Sequence, residues 1–167
     1  MISISLRTTR CIFGAAATLV MVGCGGGDSG EPASLTPAQQ AIKDQIVSRQ
    51  SNLSDLGAAF KAIGDEVRAG RPTSTTVEFS AQSVARYADQ IGGWFPEGSG
   101  PDSGLETDAK EEIWTNPEAF AEAVSAFEVA AADLLAAVES GDGAMIAQNF
   151  QKTGGTCKGC HDDFRKE

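Results

Sequence analysis

The residues with the clearest chemical capacity are Cys157-Lys158-Gly159-Cys160-His161, a C-x-x-C-H motif. Two thiols at this spacing fall on one helical turn, and each can add to a vinyl group of a haem, so the motif is typical of c-type haem attachment. The histidine that follows is then held under the porphyrin, where its imidazole can bind the iron as an axial ligand. The motif predicts one covalent haem c per chain, carried by Cys157 and Cys160, with His161 on the iron.

Two other uses of a C-x-x-C pair compete with this interpretation. A thioredoxin-like redox motif requires a βαβ context early in its domain, whereas this pair follows segments of helical period. A zinc site requires further ligands, and the sequence has neither a second histidine nor a second cysteine pair to supply them. Because neither alternative needs the adjacent histidine, haem attachment is favoured.

From Thr36 onward the apolar residues recur at steps of three, four or seven, as they do along one face of a helix. The predicted helices begin after Thr36, Thr73 or Ser74, Asn116 and Asp142, and the first three end at Gly70, Gly92 and Gly141. On each predicted helix these recurring residues form one stripe, the face expected to point into the core. In helix order the four stripes are Ile42, Ile46, Leu53, Leu56, Phe60, Ile63 and Val67; Val77, Ala81, Val84, Ala88 and Ile91; Phe120, Val124, Phe127, Ala131, Leu134 and Val138; and Ile146, Phe150, Thr153, Cys157, Cys160 and Phe164.

Four such helices with one long connection predict an all-α, antiparallel four-helix bundle over residues 36–167. The long connection, Trp94–Thr115, crosses over between the second and third bundle helices, and its apolar residues are expected to cover a bundle end. Gly154 and Gly155 are unfavourable inside a helix by about 1 kcal/mol each relative to alanine. They indicate either a close approach of something large to the backbone or a break between two short helices.

Residues 1–23 are predicted to be a signal peptide, with Arg7 and Arg10 before an apolar stretch too short to span a bilayer. The stretch ends in a pattern that resembles a bacterial lipoprotein signal, in which Cys24 would be lipidated. Ordinary signal cleavage near the same point is the alternative. Residues 24–35 are rich in glycine and polar residues and are expected to form a flexible tether. A lipid-anchored protein on the periplasmic side of a bacterial membrane, or a soluble periplasmic one, follows from this interpretation.

The sequence has four cysteines, and the predicted roles use all of them. Cys11 lies in the signal, Cys24 would carry lipid, and Cys157 and Cys160 would carry haem. Although export implies an oxidising compartment, no cysteine remains for a disulfide. The even number of cysteines is therefore not interpreted as a disulfide framework.

Four short motifs spread along the chain together carry a resemblance to a known family. They are Arg49-Gln50 in the first helix, Phe95-Pro96-x-Gly98 in the crossover, Glu112-Ile113-Trp114 before the third bundle helix, and Gly155-x-Cys157-Lys158-x-Cys160-His161-Asp162-x-Phe164-Arg165. In this arrangement residues from about Ile42 to Arg165 resemble the class II c-type cytochromes, the cytochrome c′ family. The resemblance implies an exported, often dimeric four-helix bundle with haem between its helices. Many members have five-coordinate, high-spin iron that binds nitric oxide or carbon monoxide, whereas a related set has a methionine as sixth ligand and resembles simple electron carriers.

The residue inventory bears on which of these subtypes is expected. With one histidine, the chain cannot supply two imidazoles to one iron, and the only methionine beyond the signal is Met145. Met145 lies sixteen residues before His161 on the same helix, about 24 Å along its axis. By resemblance the sixth-ligand position falls on Leu53, which cannot coordinate iron and would leave an open, apolar distal site. Arg49 and Arg165 resemble the family's haem-proximal arginines, and a solvated surface charge is the alternative for each.

An apolar distal site without hydrogen-bond donors favours NO and CO over polarised dioxygen. The sequence therefore predicts a non-enzymatic, gas-binding cytochrome, with electron transfer to a redox protein partner as the alternative. Peroxidase-like chemistry has no support, since no distal histidine or acid–base pair is present. A net charge of −10 argues against a nucleic-acid partner and favours basic partners or simple solubility.

Overall fold

The computed structural model describes residues 35–167, which fold as an antiparallel four-helix bundle. Its helices are α1 (Pro37–Arg68), α2 (Thr75–Ile91), the one-turn α3 (Glu112–Thr115), α4 (Pro117–Ser140) and α5 (Gly143–Phe164). Helix α1 packs on α2, α2 on α4 and α4 on α5, whereas α1 and α5 touch at few points. The predicted fold class is confirmed. The predicted signal peptide and the tether as far as residue 34 lie outside the described residues.

The helix ends follow the capping residues of the sequence. The Thr36 side chain accepts a hydrogen bond from the backbone N–H of Gln39 and completes a capping box, while Ser74 caps α2. Asn116 and Asp142 cap α4 and α5 through their side-chain oxygens. These interactions satisfy backbone N–H groups that a helix leaves unpaired, so the predicted starts are confirmed.

Burial separates the four helices into two pairs. Every residue of the predicted stripes on α2 and α4 is buried, whereas α1 and α5 keep part of theirs only half-buried. The half-buried members include Leu53 and Phe60 on α1 and the two cysteines on α5. The apolar faces of α1 and α5 therefore border a space between the helices instead of packing fully against each other.

The crossover from α2 to α4 covers one end of the bundle. It contains 3₁₀ turns at Gly92–Trp94 and Pro101–Ser103 and the one-turn helix α3, none of which the apolar period predicts. Ile113 is buried, and Trp94, Phe95 and Trp114 pack against the core. The predicted apolar contacts of the crossover are confirmed. Within residues 35–167, no helix has both the length and the apolar character needed to cross a bilayer.

Candidate haem site

A cavity of about 590 Å³ separates α1 from α5 in the half of the bundle beneath the crossover. This volume lies within the range of about 300–1,000 Å³ that is usual for ligand and cofactor sites. Its walls are mainly apolar and include Leu53, Leu56, Phe60, Ile91, Phe120, Val124 and Phe127. A body that fills it must be large and mostly apolar, because an unfilled cavity forfeits the dispersion contacts of its lining.

Helix α5 brings Cys157, Cys160 and His161 to one wall of this cavity. Both thiols are free and half-buried, and His161 reaches the cavity from an exposed position. Burial raises the pKa of the Cys157 thiol to about 11. Burial, and then the charge of Asp163, also raise the pKa of Cys160. Both sulfurs are therefore mostly protonated at neutral pH, which slows the thiolate reactions that lead to a disulfide.

The imidazole of His161 is held in the form that binds metals. Burial, and then the positive charge of Arg165, lower its pKa below the usual value. A neutral imidazole has a free nitrogen lone pair for iron, whereas a protonated one has none. Among the described residues no three histidine, cysteine or acidic side chains are grouped as a metal site of their own. The zinc alternative therefore gains no support from the tertiary structure.

Helix α5 continues without interruption through the two glycines that precede the motif. The predicted alternative of a break between two short helices is therefore wrong. A methyl group at Gly154 would touch the Phe60 ring at 3.5 Å, while one at Gly155 would meet no atom within 4 Å. The distance of 3.5 Å is an ordinary van der Waals contact, so the packing of Phe60 against α5 does not itself require a glycine at this position. Phe60 stacks on Phe150 with 4.5 Å between ring centroids. Phe60 borders the cavity about three turns along α1 from Arg49.

Arg49 is buried, with 3% of its surface exposed, and lies at the crossover end of the cavity. Its Nη1 donates to Ser99 Oγ at 2.9 Å, and its Nη2 donates to Thr107 Oγ1 at 2.9 Å and to the Ser99 carbonyl at 3.1 Å. Its guanidinium carbon is 4.8 Å from the centroid of the Phe95 ring. The alternative that Arg49 is a solvated surface charge is wrong.

The charge of Arg49 has no acidic partner in the described part of the chain. None of the ion pairs there involves Arg49. Burial lowers the pKa of its guanidinium, which nevertheless remains protonated because arginine titrates far above neutrality. A buried charge without an anion is unfavourable, and haem carries two carboxylates. The volume, the apolar walls, the paired thiols, the imidazole and this unpaired cation together fit a haem.

Arg165 is positioned by a short antiparallel contact between the crossover and the C-terminal residues. Ala109 and Arg165 form a β-bridge, flanked by hydrogen bonds from Lys110 N to Phe164 O at 2.9 Å and from Lys166 N to Asp108 O at 2.8 Å. Arg165 is exposed, lies on the cavity wall and directly follows the last residue of α5, four positions after His161. The crossover is thereby joined to α5 at the end of the haem-attachment motif.

The tertiary structure also adds residues that the sequence analysis did not select. Ser99 and Thr107 hold Arg49, and no periodic signal marks them because they lie in irregular backbone. Two more, Ser54 and Gly57, border the cavity on α1, as does Gln50 of the motif Arg49-Gln50. Only Gly57 carries a signal in the sequence, as a glycine within a strongly periodic helix.

A helical bundle built around such a cavity, with C-x-x-C-H on its wall, defines a c-type haem protein. The sequence model described as Cytochrome C' matches residues 44–165. The chain is 35% identical over 134 residues to the cytochrome c' of Rhodospirillum rubrum, which covers 79% of this chain and 89% of that protein. The chain belongs to the cytochrome c′ family, and its cofactor is a covalently bound haem c.

Solved structures show the same architecture. Cytochrome c prime from Shewanella frigidimarina is 30% identical, with a TM-score of 0.69 over 75% of this chain and 97% of that one. A variant of cytochrome c prime from Alcaligenes xylosoxidans, in the ferrous state with bound NO, has a TM-score of 0.68 at 24% identity, over 75% of this chain and 96% of that one. At that identity the second comparison shows the fold alone.

Proposed function

We propose that Cys157 and Cys160 carry the haem through thioethers, that His161 is the axial ligand, and that Leu53 covers an open distal site that binds NO or CO. Two observations support the attachment. The three residues share one cavity wall, and the cavity fits the cofactor in size, polarity and charge. When bound, the haem supplies an iron that can take one diatomic ligand.

The observation that carries the gas-binding proposal is the composition of the cavity wall. Among the described residues that line it, His161 is the only imidazole, and no methionine is present. Met145 lies in the first turn of α5, 47% exposed, and away from the cavity. Leu53 occupies the wall of α1 one turn after Arg49 and has no lone pair for a metal. This set of side chains supports the proposal of a five-coordinate iron, because no second side chain of the wall is an imidazole or a thioether.

The polarity of the wall bears on which gas is bound. Leu53, Leu56 and Phe127 offer no hydrogen-bond donor to a bound diatomic molecule. Bound dioxygen gains most from such a donor, whereas CO and NO bind well in apolar surroundings. The Nη1 and Nη2 groups of Arg49 already donate to Ser99 and Thr107. The proposed ligands are therefore NO and CO.

The absorption spectrum of the purified holoprotein tests this proposal. We expect the ferrous protein at neutral pH to have a high-spin, five-coordinate spectrum that changes on addition of CO. A low-spin spectrum with two axial ligands and no response to CO would contradict it. Electron transfer would then be favoured, and the exposed lining residues Gln50 and His161 would lie on the side that faces a redox partner.

The proposed location is the periplasmic side of a bacterial membrane, with Cys24 as the lipid anchor. Cys24 lies outside the described residues, so the proposal rests on the sequence pattern. Labelled palmitate should enter the native protein and be absent from Cys24→Ser. Since stable anchoring needs more than one acyl chain, a mature lipoprotein should partition almost completely into detergent. Recovery of the unmodified protein in the soluble periplasmic fraction would instead indicate ordinary signal cleavage.

A homodimer is proposed from the family alone, and sedimentation velocity of the holoprotein tests it.

A further inference from the structure

Gly57 lies in the middle of α1, one turn after Leu53, and borders the haem cavity. It is exposed to solvent, so the cavity reaches the surface at this point. Residues four apart on a helix share a face. Gly57 is therefore the neighbour of the residue proposed to cover the iron.

The packing of the polypeptide does not account for a glycine at this position. Its φ is not positive, and a methyl group placed there would meet no atom within 4 Å. Gly64 on the same helix is different, because a methyl group there would come within 2.7 Å of Phe150 Cζ. Glycine within a helix is unfavourable relative to alanine. Gly57 thus lowers helix stability without relieving a contact within the chain.

Along α1 the rim of the cavity, where its lining residues meet solvent, shows what the lack of a side chain at Gly57 changes. Gln50, Ser54 and Gly57 follow one another at steps of four and three, and all three are exposed and border the cavity. Their side chains shorten in that order, from an amide through a hydroxymethyl group to none. The rim is therefore lowest at Gly57, directly beside Leu53.

We propose that Gly57 keeps open a port through which a diatomic gas passes between solvent and the distal side of Leu53. The proposal rests on the proposed function and adds the route to the binding site. An open port changes the barrier that a ligand crosses in both directions but does not change the contacts of the bound ligand. Filling it should slow association and dissociation by the same factor and leave the equilibrium affinity unchanged.

Two variants of the holoprotein, Gly57→Leu and Gly57→Ala, test this prediction. Stopped-flow mixing with CO measures the association rate, and displacement of bound CO by a second ligand measures the dissociation rate. In Gly57→Leu both rates should fall roughly tenfold, which corresponds to an activation free energy raised by about 1.4 kcal/mol. Gly57→Ala should show a smaller effect in the same direction. Ala58→Leu is the matched control, because Ala58 is exposed on the same helix and does not border the cavity. It should bind CO at the unmodified rate.

A second measurement does not depend on gas binding. If the space beside Gly57 is open in the holoprotein, Gly57→Ala should raise the denaturant midpoint through its better helix propensity and leave the ferrous spectrum unchanged. A lowered midpoint, or a loss of covalent haem, would mean that the cofactor itself occupies this space, and the port would be wrong. Unmodified CO rates in Gly57→Leu would also overturn the port while leaving the proposed function intact. Absence of CO binding by the unmodified protein would overturn both.

Discussion

Replacing both Cys157 and Cys160 by alanine should yield a protein whose haem, if any is bound, extracts completely into acidified organic solvent. In the unmodified protein the haem should stay with the polypeptide, since a thioether is not broken by acid or solvent. The physical basis is that both sulfurs lie on the cavity wall one helical turn apart, within reach of one cofactor. Absorbance of the protein and solvent phases after extraction measures the result.

Thr156→Ala is a suitable control for this pair of substitutions. Thr156 borders the same cavity beside Cys157 but has no thiol, so its haem should remain attached. Extraction of haem from the unmodified protein would refute covalent attachment through these residues.

The haem-free form of the double variant should also be loosely packed. A cavity of about 590 Å³ cannot close without moving whole helices, and side chains around an unfilled cavity lose stabilising contacts. We expect weak near-ultraviolet circular dichroism and a broad thermal transition, while the far-ultraviolet signal stays helical. A sharp, cooperative transition of the haem-free form would show that the four helices pack without their cofactor.

Leu53→Ala should accelerate CO association by more than roughly tenfold, equivalent to a barrier lowered by about 1.4 kcal/mol or more. Leu53 is half-buried on the cavity wall, so a ligand that binds beneath it must displace a packed side chain. Such displacement costs energy because the surrounding core is already filled. Stopped-flow mixing with CO measures the rate, and affinity should rise together with it, unlike the effect expected at Gly57.

Leu135→Ala provides the matched control for Leu53. Leu135 is also half-buried against the core, but it lies on α4 and does not border the cavity. The same truncation there should reduce stability without changing the CO rates.

Leu53→Met should in addition bring a thioether to the iron and shift the spectrum towards low spin. Unchanged CO kinetics in Leu53→Ala, or a low-spin spectrum before any substitution, would reject the gas-binding proposal.

The chain's helical architecture was largely accessible without the structure, because its determinants are local. Thr36, Ser74, Asn116 and Asp142 satisfy the first backbone N–H groups of their helices, and each does so through neighbours at most three residues away. The stripes of α2 and α4 are buried as their period predicts, because burying an apolar face is the main source of helix stability in a bundle. The C-x-x-C-H motif is local in the same sense, since thiols and imidazole are brought together by one turn of α5.

Arg49 is the clearest case in which only the tertiary structure decides. Its spacing on α1 is compatible with a solvated charge or a cavity residue, and its partners Ser99 and Thr107 lie 50 and 58 positions away. Those partners are in irregular backbone, where no period connects a residue to its contacts. The contact of Ala109 with Arg165 is non-local for the same reason.

The sequence by itself determined the four long helices, the residues that cap their starts, the buried faces of α2 and α4, and the identity of the haem-attachment motif. Only the tertiary structure decided that Arg49 is buried without an anion, that α5 runs unbroken through Gly154 and Gly155, and that Gly57 borders the cavity in an exposed position. The physical reason is the range of the interactions involved. Capping and helix periodicity act within one or two turns, whereas the burial of a charge or the opening of a cavity depends on what distant segments bring to the same place.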